Sequence, residues 1–444
     1  MTRSGDKCYD TEKLTCYLLC FKQKNFIYLE EQKVKMMKNA IVAQSGGPTT
    51  AINASLAGVI KGCLESHEID VLYGALNGVE GLMDERLVNL TDIFDHNEEN
   101  LNVLKLTPAM YLGSCRRKLK DVDQDSSEYD IIINIFRKYH IHYFFYIGGN
   151  DSMDTVGKMS RYVKEHQMDV KVIGIPKTID NDLVVTDHTP GFGSAARYVA
   201  ASVLEMAHDT YIYNTKSVLI AEIMGRDAGW LTAASVLARN SYSRAPHLIY
   251  LPEHPFSKEQ FIEDIKAQFK QREHIVIAVS EGLRDVDGHY ISAETAAVDA
   301  FGHATLSGTG KCLEGLVAEK FGCKVRSVEI NVLQRCAAHM ASATDIEESW
   351  QLGLKGVALA LEGKSGEMSI VCRISDEPYQ VIYDGADVQQ IANAEKKIPT
   401  AWINEAGNDV TEEMVRYLRP LIHGSVAVPE QDSMPHYLFL GEAL

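Results

Sequence analysis

The chain has 444 residues, 45% of them hydrophobic, which is longer than a single hydrophobic core normally fills, so we expect two packed domains. Its formal net charge of −17 argues against a general nucleic-acid or anionic-membrane surface, because such partners need clustered Lys and Arg, and any phosphate site must therefore be a local basic pocket. Nine cysteines without a CxxC pair, and no apolar run of about 18 residues, favour a reduced, cytoplasmic protein without a transmembrane helix.

The chain begins with residues 1–37, which we interpret as an N-terminal extension. This segment does not show the order of charged, apolar and small-residue regions that a signal peptide needs. Met36 and Met37 stand together just before the first strand pattern. An upstream start assigned in error is therefore an alternative to an appended arm.

Short apolar runs bounded by Gly or Pro then recur along the chain, and helix-like stretches separate them. Runs rich in Val, Ile and Tyr with such boundaries predict buried parallel strands, so the predicted fold class is α/β. The predicted strands are residues 40–47, 71–76, 143–149, 170–178, 217–225, 247–252 and 274–282.

Helices are predicted between these strands, at residues 50–66, 151–166 and 193–209. Asp151 and Ser194 stand where N-caps are expected, since short polar side chains can accept a hydrogen bond from the first turn of a helix. After about residue 340 the pattern weakens, and residues 380–444 are interpreted as a C-terminal region with helices rather than a third core.

A set of loops that follow the predicted strands places glycines or short polar residues where backbone amides could face an anion. In α/β sheets ligands gather at the carboxyl ends of the strands, so these loops should meet in a shared crevice. A Gly-Gly turn by itself is more often only a tight turn. The loops are residues 45–50, 148–152, 176–182 and 224–226.

The loop at residues 176–182 is the most informative, because Asp180 and Asp182 lie beside Lys177 and Thr178. Two carboxylates two residues apart in an extended segment point the same way and can divide proton abstraction and metal binding between them. The alternative is an Asx-turn with solvated aspartates. The neighbouring Lys177 favours a phosphoryl site, since phosphoryl transfer needs positive charge, a divalent metal and an aligned nucleophile together.

A series of segments in chain order resembles the 6-phosphofructokinase family over roughly residues 38–336: SGGPTTAINA, LGSCRRKL, GGNDSMDT, PKTIDND, EIMGRDAGW, VSEGL and VLQR. The resemblance implies two Rossmann-like, three-layer domains with the active site in the cleft between them. It implies a donor domain at residues 38–190, completed by part of residues 340–444, and a sugar-phosphate domain at residues 191–339. The implied reaction is Mg²⁺-dependent transfer of a phosphoryl group to the C1 hydroxyl of fructose 6-phosphate, a step of glycolysis.

The same resemblance implies roles for individual residues. Asp180 would take the proton of the C1 hydroxyl, with Lys177 and Asp182 as further catalytic residues. Asn150 stands where many members have a magnesium-binding aspartate, so Asp151 is the expected metal ligand. The donor-binding residues would be Gly46, Gly47, Arg116, Gly149, Asn150, Asp151 and Ser152. The sugar-phosphate-binding residues would be Thr178, Asp180, Met224, Gly225, Arg226, Glu281, Arg326 and Arg335.

The donor is predicted to be pyrophosphate because Asp151 and Lys177 stand where ATP-using members have glycines. The Asp151 carboxylate would fill the space of a nucleotide α-phosphate and repel it, while the Lys177 ammonium would bind a short, highly anionic donor. The alternatives that stay open are an ATP-dependent phosphofructokinase and a non-catalytic regulatory subunit, and sedoheptulose 7-phosphate is a second acceptor. Arg326 would reach a neighbouring subunit's site, which implies a homodimer or homotetramer.

Overall fold

Two largely parallel sheets organise residues 37–292, 308–392 and 394–440, which are the residues that the computed structural model describes. The strands are β1 (Asn39–Gln44), β2 (Leu72–Ala75), β3 (Leu87–Asn89), β4 (Ile141–Gly148), β5 (Lys171–Pro176), β6 (Ser217–Ile223), β7 (Leu248–Tyr250), β8 (His274–Ser280), β9 (Lys324–Glu329), β10 (Glu367–Asp376), β11 (Tyr379–Asp387), β12 (Glu430–Gln431) and β13 (Met434–Pro435).

Helices flank both sheets. The α-helices are α1 (Ile52–Glu65), α2 (Gly78–Met83), α3 (Leu90–Phe94), α4 (Glu98–Leu106), α5 (Ser127–Lys138), α6 (Asn150–Glu165), α7 (Phe192–Tyr211), α8 (Trp230–Ala234), α9 (Lys258–Phe269), α10 (Thr309–Phe321), α11 (Ala343–Leu361) and α12 (Glu412–Leu418). Short 3₁₀ turns lie at Ser235–Ala238, Asn331–Arg335, Ala338–Met340, Val388–Gln390, Thr400–Trp402 and Arg419–Ile422.

The first sheet has the strand order β11-β10-β5-β4-β1-β2-β3 within the described residues. Its central strands are parallel, and β3 and β11 are antiparallel edge strands. Because side chains alternate between the faces of a strand, Val42 and Phe145 join the core beneath α1 and α11, whereas Ile41 and Phe144 join the core beneath α5 and α6. This sheet is therefore the middle of three layers.

Helices α1 and α11 approach each other unusually closely. A Cβ atom on Gly58 would lie 2.2 Å from the Trp350 carbonyl oxygen, and one on Gly353 would lie 2.2 Å from the Ser55 carbonyl oxygen. Only glycine allows backbones to pack at this distance. The contact attaches α11, which follows the second sheet in the chain, to the first sheet.

The second sheet has the order β7-β8-β6-β9, and all of its strand pairs are parallel. Ile220 and Ile277 pack with α9 and α10 on one face, and Ala221 and Ala278 pack with α7 on the other. The latter core also contains Met414 and Leu418 of α12. The chain after α11 therefore contributes to both halves: β10 and β11 extend the first sheet, and α12 packs with the second.

The predicted α/β class is confirmed, and each strand predicted from an apolar run is present, as β1, β2, β4, β5, β6, β7 or β8. The C-terminal region, for which we expected helices, also contains β11 and the small β12-β13 pair. The boundaries at residues 190 and 339 stay a prediction. No helix among the described residues is long and apolar enough to cross a membrane.

The predicted N-caps Asp151 and Ser194 are wrong. Helix α6 begins after Gly149 and α7 after Gly191, so Asp151 and Ser194 lie within the first turns. For α7 the capping carboxylate comes from far along the chain. Both oxygens of the buried Asp345 side chain are used, accepting from the Gly191 and Ser194 amides at 2.9 Å each.

Candidate active site

The loops at the carboxyl ends of strands from both sheets surround one cavity of about 660 Å³. Parallel strands place their carboxyl ends at the same edge, so this position is where an α/β fold gathers its ligands. The residues that line it are Ser45, Gly46, Gly47, Arg116, Arg117, Lys118, Tyr146, Gly149, Asn150, Asp151, Ser152, Thr155, Lys177, Thr178, Asp180, Asp182, Met224, Arg226, Asp227, Ala228, Glu281, Arg335 and Glu395.

The loop after β1 approaches the lysine of the loop after β5. Gly46 has a φ of 82°, in the left-handed region that favours glycine, and a Cβ there would lie 3.1 Å from the Lys177 Nζ atom. The Lys177 ammonium donates to the Gly47 carbonyl oxygen at 2.6 Å. The glycines therefore give this ammonium its position inside the cleft.

The loop after β4 leads directly into α6, whose N-terminus faces the cavity. The positive end of a helix dipole attracts anions, so residues 149–152 form one wall suited to a phosphate. Asp151 lies in the first turn and accepts from the Lys118 Nζ at 3.1 Å. The Asn150 side-chain amide donates to the Ala394 carbonyl oxygen at 2.8 Å.

The loop after β5 brings the charged groups of the candidate site together. Lys177 is only 3% exposed, and burial lowers its pKa to about 8, against the attraction of Asp180 and Asp182. Burial raises the pKa of Asp180, and burial together with the charge of Asp180 raises the pKa of Asp182 to about 6. The Thr178 hydroxyl accepts from the Asp180 amide at 3.1 Å. Two carboxyl groups with raised pKa values thus face one buried ammonium.

The second sheet supplies the opposite wall, from the loops after β6 and β8. The Gly225 amide donates to Glu281 Oε1 at 3.3 Å. Burial raises the pKa of Glu281 to about 7, even though this hydrogen bond opposes the shift. Met224 and Arg226 line the cavity from the loop after β6. This wall combines apolar side chains with acidic and basic groups, which is a composition suited to a polar organic molecule.

Six Arg and Lys side chains line the cavity beside six Asp and Glu side chains, so the pocket is formally neutral in a chain of net charge −17, rather than basic overall as expected. Arg335 comes from the 3₁₀ turn after β9, and its Nη1 atom lies 3.3 Å from the position of a Cβ on Gly47. Arg117 pairs with Glu128 at the rim. The basic residues that line the cavity are Arg116, Arg117, Lys118, Lys177, Arg226 and Arg335.

The cavity brings together the sequence-predicted site residues except Gly225 and Arg326. Gly225 lies behind the wall and contacts it through Glu281. Arg326 is exposed on β9 and pairs with Asp209 at 3.4 Å, away from this chain's own cavity. Its predicted reach into a neighbouring subunit stays a prediction.

Several lining residues were not in the predicted site, and they had different sequence signals. Arg117 and Lys118 directly follow the predicted Arg116, so that neighbour was a usable signal for both. Asp227 follows the predicted Arg226 in the same way. Thr155 ends the quoted segment GGNDSMDT, so that motif was a usable signal for it. Tyr146 lies on β4 outside the quoted segments, and Glu395 comes from the C-terminal region without any local signal.

The cavity offers oxygen ligands of the kind that Mg²⁺ prefers. The Asp182 Oδ1 atom is buried and has no hydrogen-bond partner among the described residues, and Asp151 faces the same space. Within the described ranges, the carboxylates here do not form a closed group of three; the one such group is Asp285, Asp287 and His289, outside the cavity. Mg²⁺ commonly uses one or two carboxylates plus substrate phosphates, so these residues fit it.

Comparison with known proteins agrees with the family resemblance of the motifs. A family model described as phosphofructokinase matches residues 39–357. The chain belongs to the phosphofructokinase family. This phosphofructokinase is 40% identical, over 400 residues, to the pyrophosphate–fructose 6-phosphate 1-phosphotransferase of Halomonas elongata, covering 89% of this chain and 94% of that protein.

Two further comparisons support the same family and cover nearly the whole of this chain. The pyrophosphate–fructose 6-phosphate 1-phosphotransferase of Xanthomonas campestris pv. campestris is 40% identical over 405 residues, which are 90% of this chain and 96% of that protein. A solved pyrophosphate-dependent phosphofructokinase from Nitrosospira multiformis is 36% identical, with a TM-score of 0.82, covering 90% of this chain and 96% of the other. The family resemblance inferred from the motifs is confirmed.

Proposed function

We propose that this phosphofructokinase transfers a phosphoryl group reversibly from pyrophosphate to the C1 hydroxyl of fructose 6-phosphate, giving fructose 1,6-bisphosphate and phosphate. The observation that carries the proposal is the buried Lys177 ammonium, which lies between the Gly47 carbonyl and the Asp180–Asp182 pair. The names of the relatives agree with this donor and acceptor. Pyrophosphate is a phosphoanhydride of modest hydrolysis energy, so the equilibrium lies near balance.

The acceptor hydroxyl would be activated by Asp180. A general base works best when its pKa lies near the operating pH, and burial raises the pKa of this carboxyl toward that range. The proton of the C1 hydroxyl would pass to Asp180 as the oxygen attacks the terminal phosphorus of the donor. The adjacent Thr178 hydroxyl lies 3.4 Å from an Asp180 oxygen and would contact the C1 region.

The sugar phosphate would bind against the wall formed by the second sheet. Glu281 would accept hydrogen bonds from sugar hydroxyls, and Met224 and Arg226 would contact the sugar body. Arg335 would hold the 6-phosphate, because a guanidinium can donate two parallel hydrogen bonds to a phosphate. These groups line the same cavity as Asp180, so the two walls can hold the acceptor facing the donor.

The donor would lie at the N-terminus of α6. The amides of residues 149–152, Arg116 and the loop with Gly46 and Gly47 surround this part of the cavity. Lys177 would stabilise the negative charge of the transferring phosphoryl group, since phosphoryl transfer depends mainly on positioning and electrostatic stabilisation.

Phosphofructokinases generally use a divalent metal, and we propose Mg²⁺ here, held by Asp151 and assisted by Asp182. When bound, Mg²⁺ supplies positive charge to the donor's phosphate oxygens. Asp151 would also bear on donor choice, because by the family resemblance its carboxylate would fill the space that a nucleotide α-phosphate needs. The ion pair with Lys118 keeps that carboxylate at the rim.

We further propose a cytoplasmic homodimer or homotetramer that acts in glycolysis. Support for the assembly comes from Arg326, an exposed guanidinium outside its own chain's cavity. Support for the location comes from the cysteines of the described residues, which carry free thiols: Cys63, Cys115, Cys312, Cys323, Cys336 and Cys372.

The test compares pyrophosphate and ATP as donors side by side, with Mg²⁺ and fructose 6-phosphate, by the rate of fructose 1,6-bisphosphate formation. We expect a preference for pyrophosphate of roughly a hundredfold or more, which is on the order of 3 kcal/mol of differential transition-state binding. A preference for ATP would contradict the roles given to Asp151 and Lys177. Activity with neither donor would support a regulatory subunit.

Asp180→Ser provides the matched check on catalysis. The serine keeps a polar side chain but cannot act as a carboxylate base, so turnover should fall by at least about a hundredfold. An Asp180→Ser sample as active as the wild type would mean that another group is the base or that a contaminant is active.

A further inference from the structure

A short C-terminal segment crosses from one wall of the cavity to the other. We define the bridging segment as residues 394–398. Its Ala394 carbonyl accepts from Asn150 at 2.8 Å, and its Lys396 amide donates to the Asp182 carbonyl at 2.7 Å. On the other side the Trp230 indole donates to the Lys396 carbonyl at 2.9 Å. The segment therefore touches the donor wall, the catalytic loop and the second sheet's helix α8.

The Lys396 side chain turns beneath the catalytic loop rather than into the cavity. Its ammonium donates to Asn181 Oδ1 at 3.2 Å, to the Asp187 carbonyl at 2.6 Å and to the Thr186 carbonyl at 3.4 Å. A lysine ammonium has three N–H donors, so these three hydrogen bonds use all of its hydrogen-bonding capacity within this loop. Burial lowers the pKa of Lys396 to about 8, against the attraction of Asp187, so the group is still mainly charged at neutral pH.

The Asn181 side chain forms hydrogen bonds with Lys396 through its oxygen and with Tyr417 through its amide nitrogen. Asn181 is fully buried and has a φ of 54°, in the left-handed region that a non-glycine residue adopts only when its surroundings hold it there. Its side-chain amide donates to the Tyr417 hydroxyl at 2.9 Å. The same hydroxyl donates to the Asp187 carbonyl at 2.7 Å.

We propose that Lys396 and Tyr417 are positioning residues that hold Asn181 from opposite sides and thereby set the directions of Asp180 and Asp182. This inference rests on the proposed function of the two aspartates. Asn181 stands between them in the chain, and a change in its left-handed conformation would rotate both neighbours. Neither positioning residue lines the cavity, so neither is expected to contact a substrate.

The effect should fall on turnover more than on substrate binding. A misplacement of about 1 Å in a reacting group can cost on the order of a hundredfold in rate. The sugar and donor contacts come mainly from other loops, which the bridging segment does not hold through Lys396. A loss in kcat with little change in KM is therefore the signature of this role.

The first experiment replaces the ammonium with an apolar side chain of similar length. We expect Lys396→Met to lower kcat with pyrophosphate at least about tenfold, while KM for both substrates stays within about threefold. Lys397→Met is the matched control, since it removes the same charge from the exposed next position, and its kcat should equal that of the wild type.

Tyr417→Phe supplies a milder second variant that keeps the ring in the core and removes only the hydroxyl. We expect a smaller fall in kcat, and the double variant should lose less than the product of the two single effects, because both act through Asn181. If Lys396→Met does not fold, the kcat and KM of Tyr417→Phe decide the question.

Hydrogen exchange of the peptide covering residues 177–187 gives a readout that does not need activity. We expect faster exchange in Lys396→Met and Tyr417→Phe than in Lys397→Met. Faster exchange with unchanged kcat would overturn the inference, because the two residues would then stabilise the loop without affecting catalysis. Unchanged exchange would overturn it as well. A wild type inactive with pyrophosphate would refute the proposed function, and the exchange result would still decide whether these residues hold the loop.

Discussion

Replacing Asp182 with Asn should make the ligand-free protein more stable at neutral pH while lowering its activity. Asp182 is partly buried beside Asp180, and its Oδ1 atom has no hydrogen-bond partner among the described residues. Burial and the charge of Asp180 raise its pKa from 3.8 to about 6. The folded state therefore disfavours the ionised form that is present at pH 7. An Asn side chain of the same shape removes that charge.

The size of the gain follows from the two pKa values. The folded state binds the Asp182 proton more tightly than the unfolded chain does. Ionisation of Asp182 therefore destabilises the fold: the loss of stability begins as the pH rises above the pKa of the unfolded state and is complete once the pH exceeds the pKa of the folded state. A rise of about two pKa units corresponds to about 3 kcal/mol at pH 7 and above, since each unit is worth about 1.4 kcal/mol. The difference in unfolding free energy between Asp182→Asn and the wild type should be about half as large at pH 5 and should vanish below about pH 4.

Urea unfolding of the ligand-free wild type and Asp182→Asn at pH 7 and pH 5 measures this difference. Asp123→Asn, at an exposed position, controls for the general effect of removing one negative charge. Turnover with pyrophosphate should fall in Asp182→Asn only. An Asp182→Asn protein that is no more stable than the wild type at pH 7, or a gain of equal size at pH 5, would refute the reasoning about burial and charge.

Further predictions concern the buried lysine, the acid limb of the rate and the exposed arginine. Lys177→Met should lower the pyrophosphate-dependent initial rate by about a hundredfold to a thousandfold, which is the range for removing one electrostatic contact to the transition state. Lys171→Met, at the opposite end of β5, is the control and should leave this rate unchanged. In a wild-type pH profile kcat should rise with pH on the acid side, because burial raises the pKa of Asp180, the pKa of Asp182 is raised to about 6, and a carboxylate base must lose its proton to act. A flat acid side would contradict a carboxylate base. Mixing inactive Arg326→Ala with inactive Asp180→Ser subunits should restore activity if Arg326 completes a neighbour's site, and no recovery would place its role within one chain.

Local sequence patterns predicted most of the fold's strands and most of the residues that line the cavity. The runs around Ile41 and Phe144 are apolar on both faces and end at glycines, which is what a strand buried between two layers of helices requires. The loops that follow them are short and polar, and parallel strands bring their carboxyl ends together whatever the details of packing.

The N-cap of α7 shows where local patterns do not suffice. Ser194 has the right chemistry for a cap, but the buried Asp345 carboxylate from α11 accepts the amides of Gly191 and Ser194 instead. The chain separation between these residues is large, so no local window contains both the helix start and its cap. The position of α11 follows from its close packing on α1 through Gly58 and Gly353.

The amino-acid sequence by itself determined the α/β class, the family and the chemical groups of the site, because apolar runs, glycine turns and the Asp180–Asp182 spacing are local properties. Only the tertiary structure decided how those groups are charged and held. Lys177 and Asp182 acquire shifted pKa values through burial by distant segments. Glu395 reaches the cavity, and Lys396 reaches the loop at residues 176–182, only because the C-terminal region folds back toward them. Burial and contacts between distant segments depend on the packing of the whole chain, which no local pattern of residues contains.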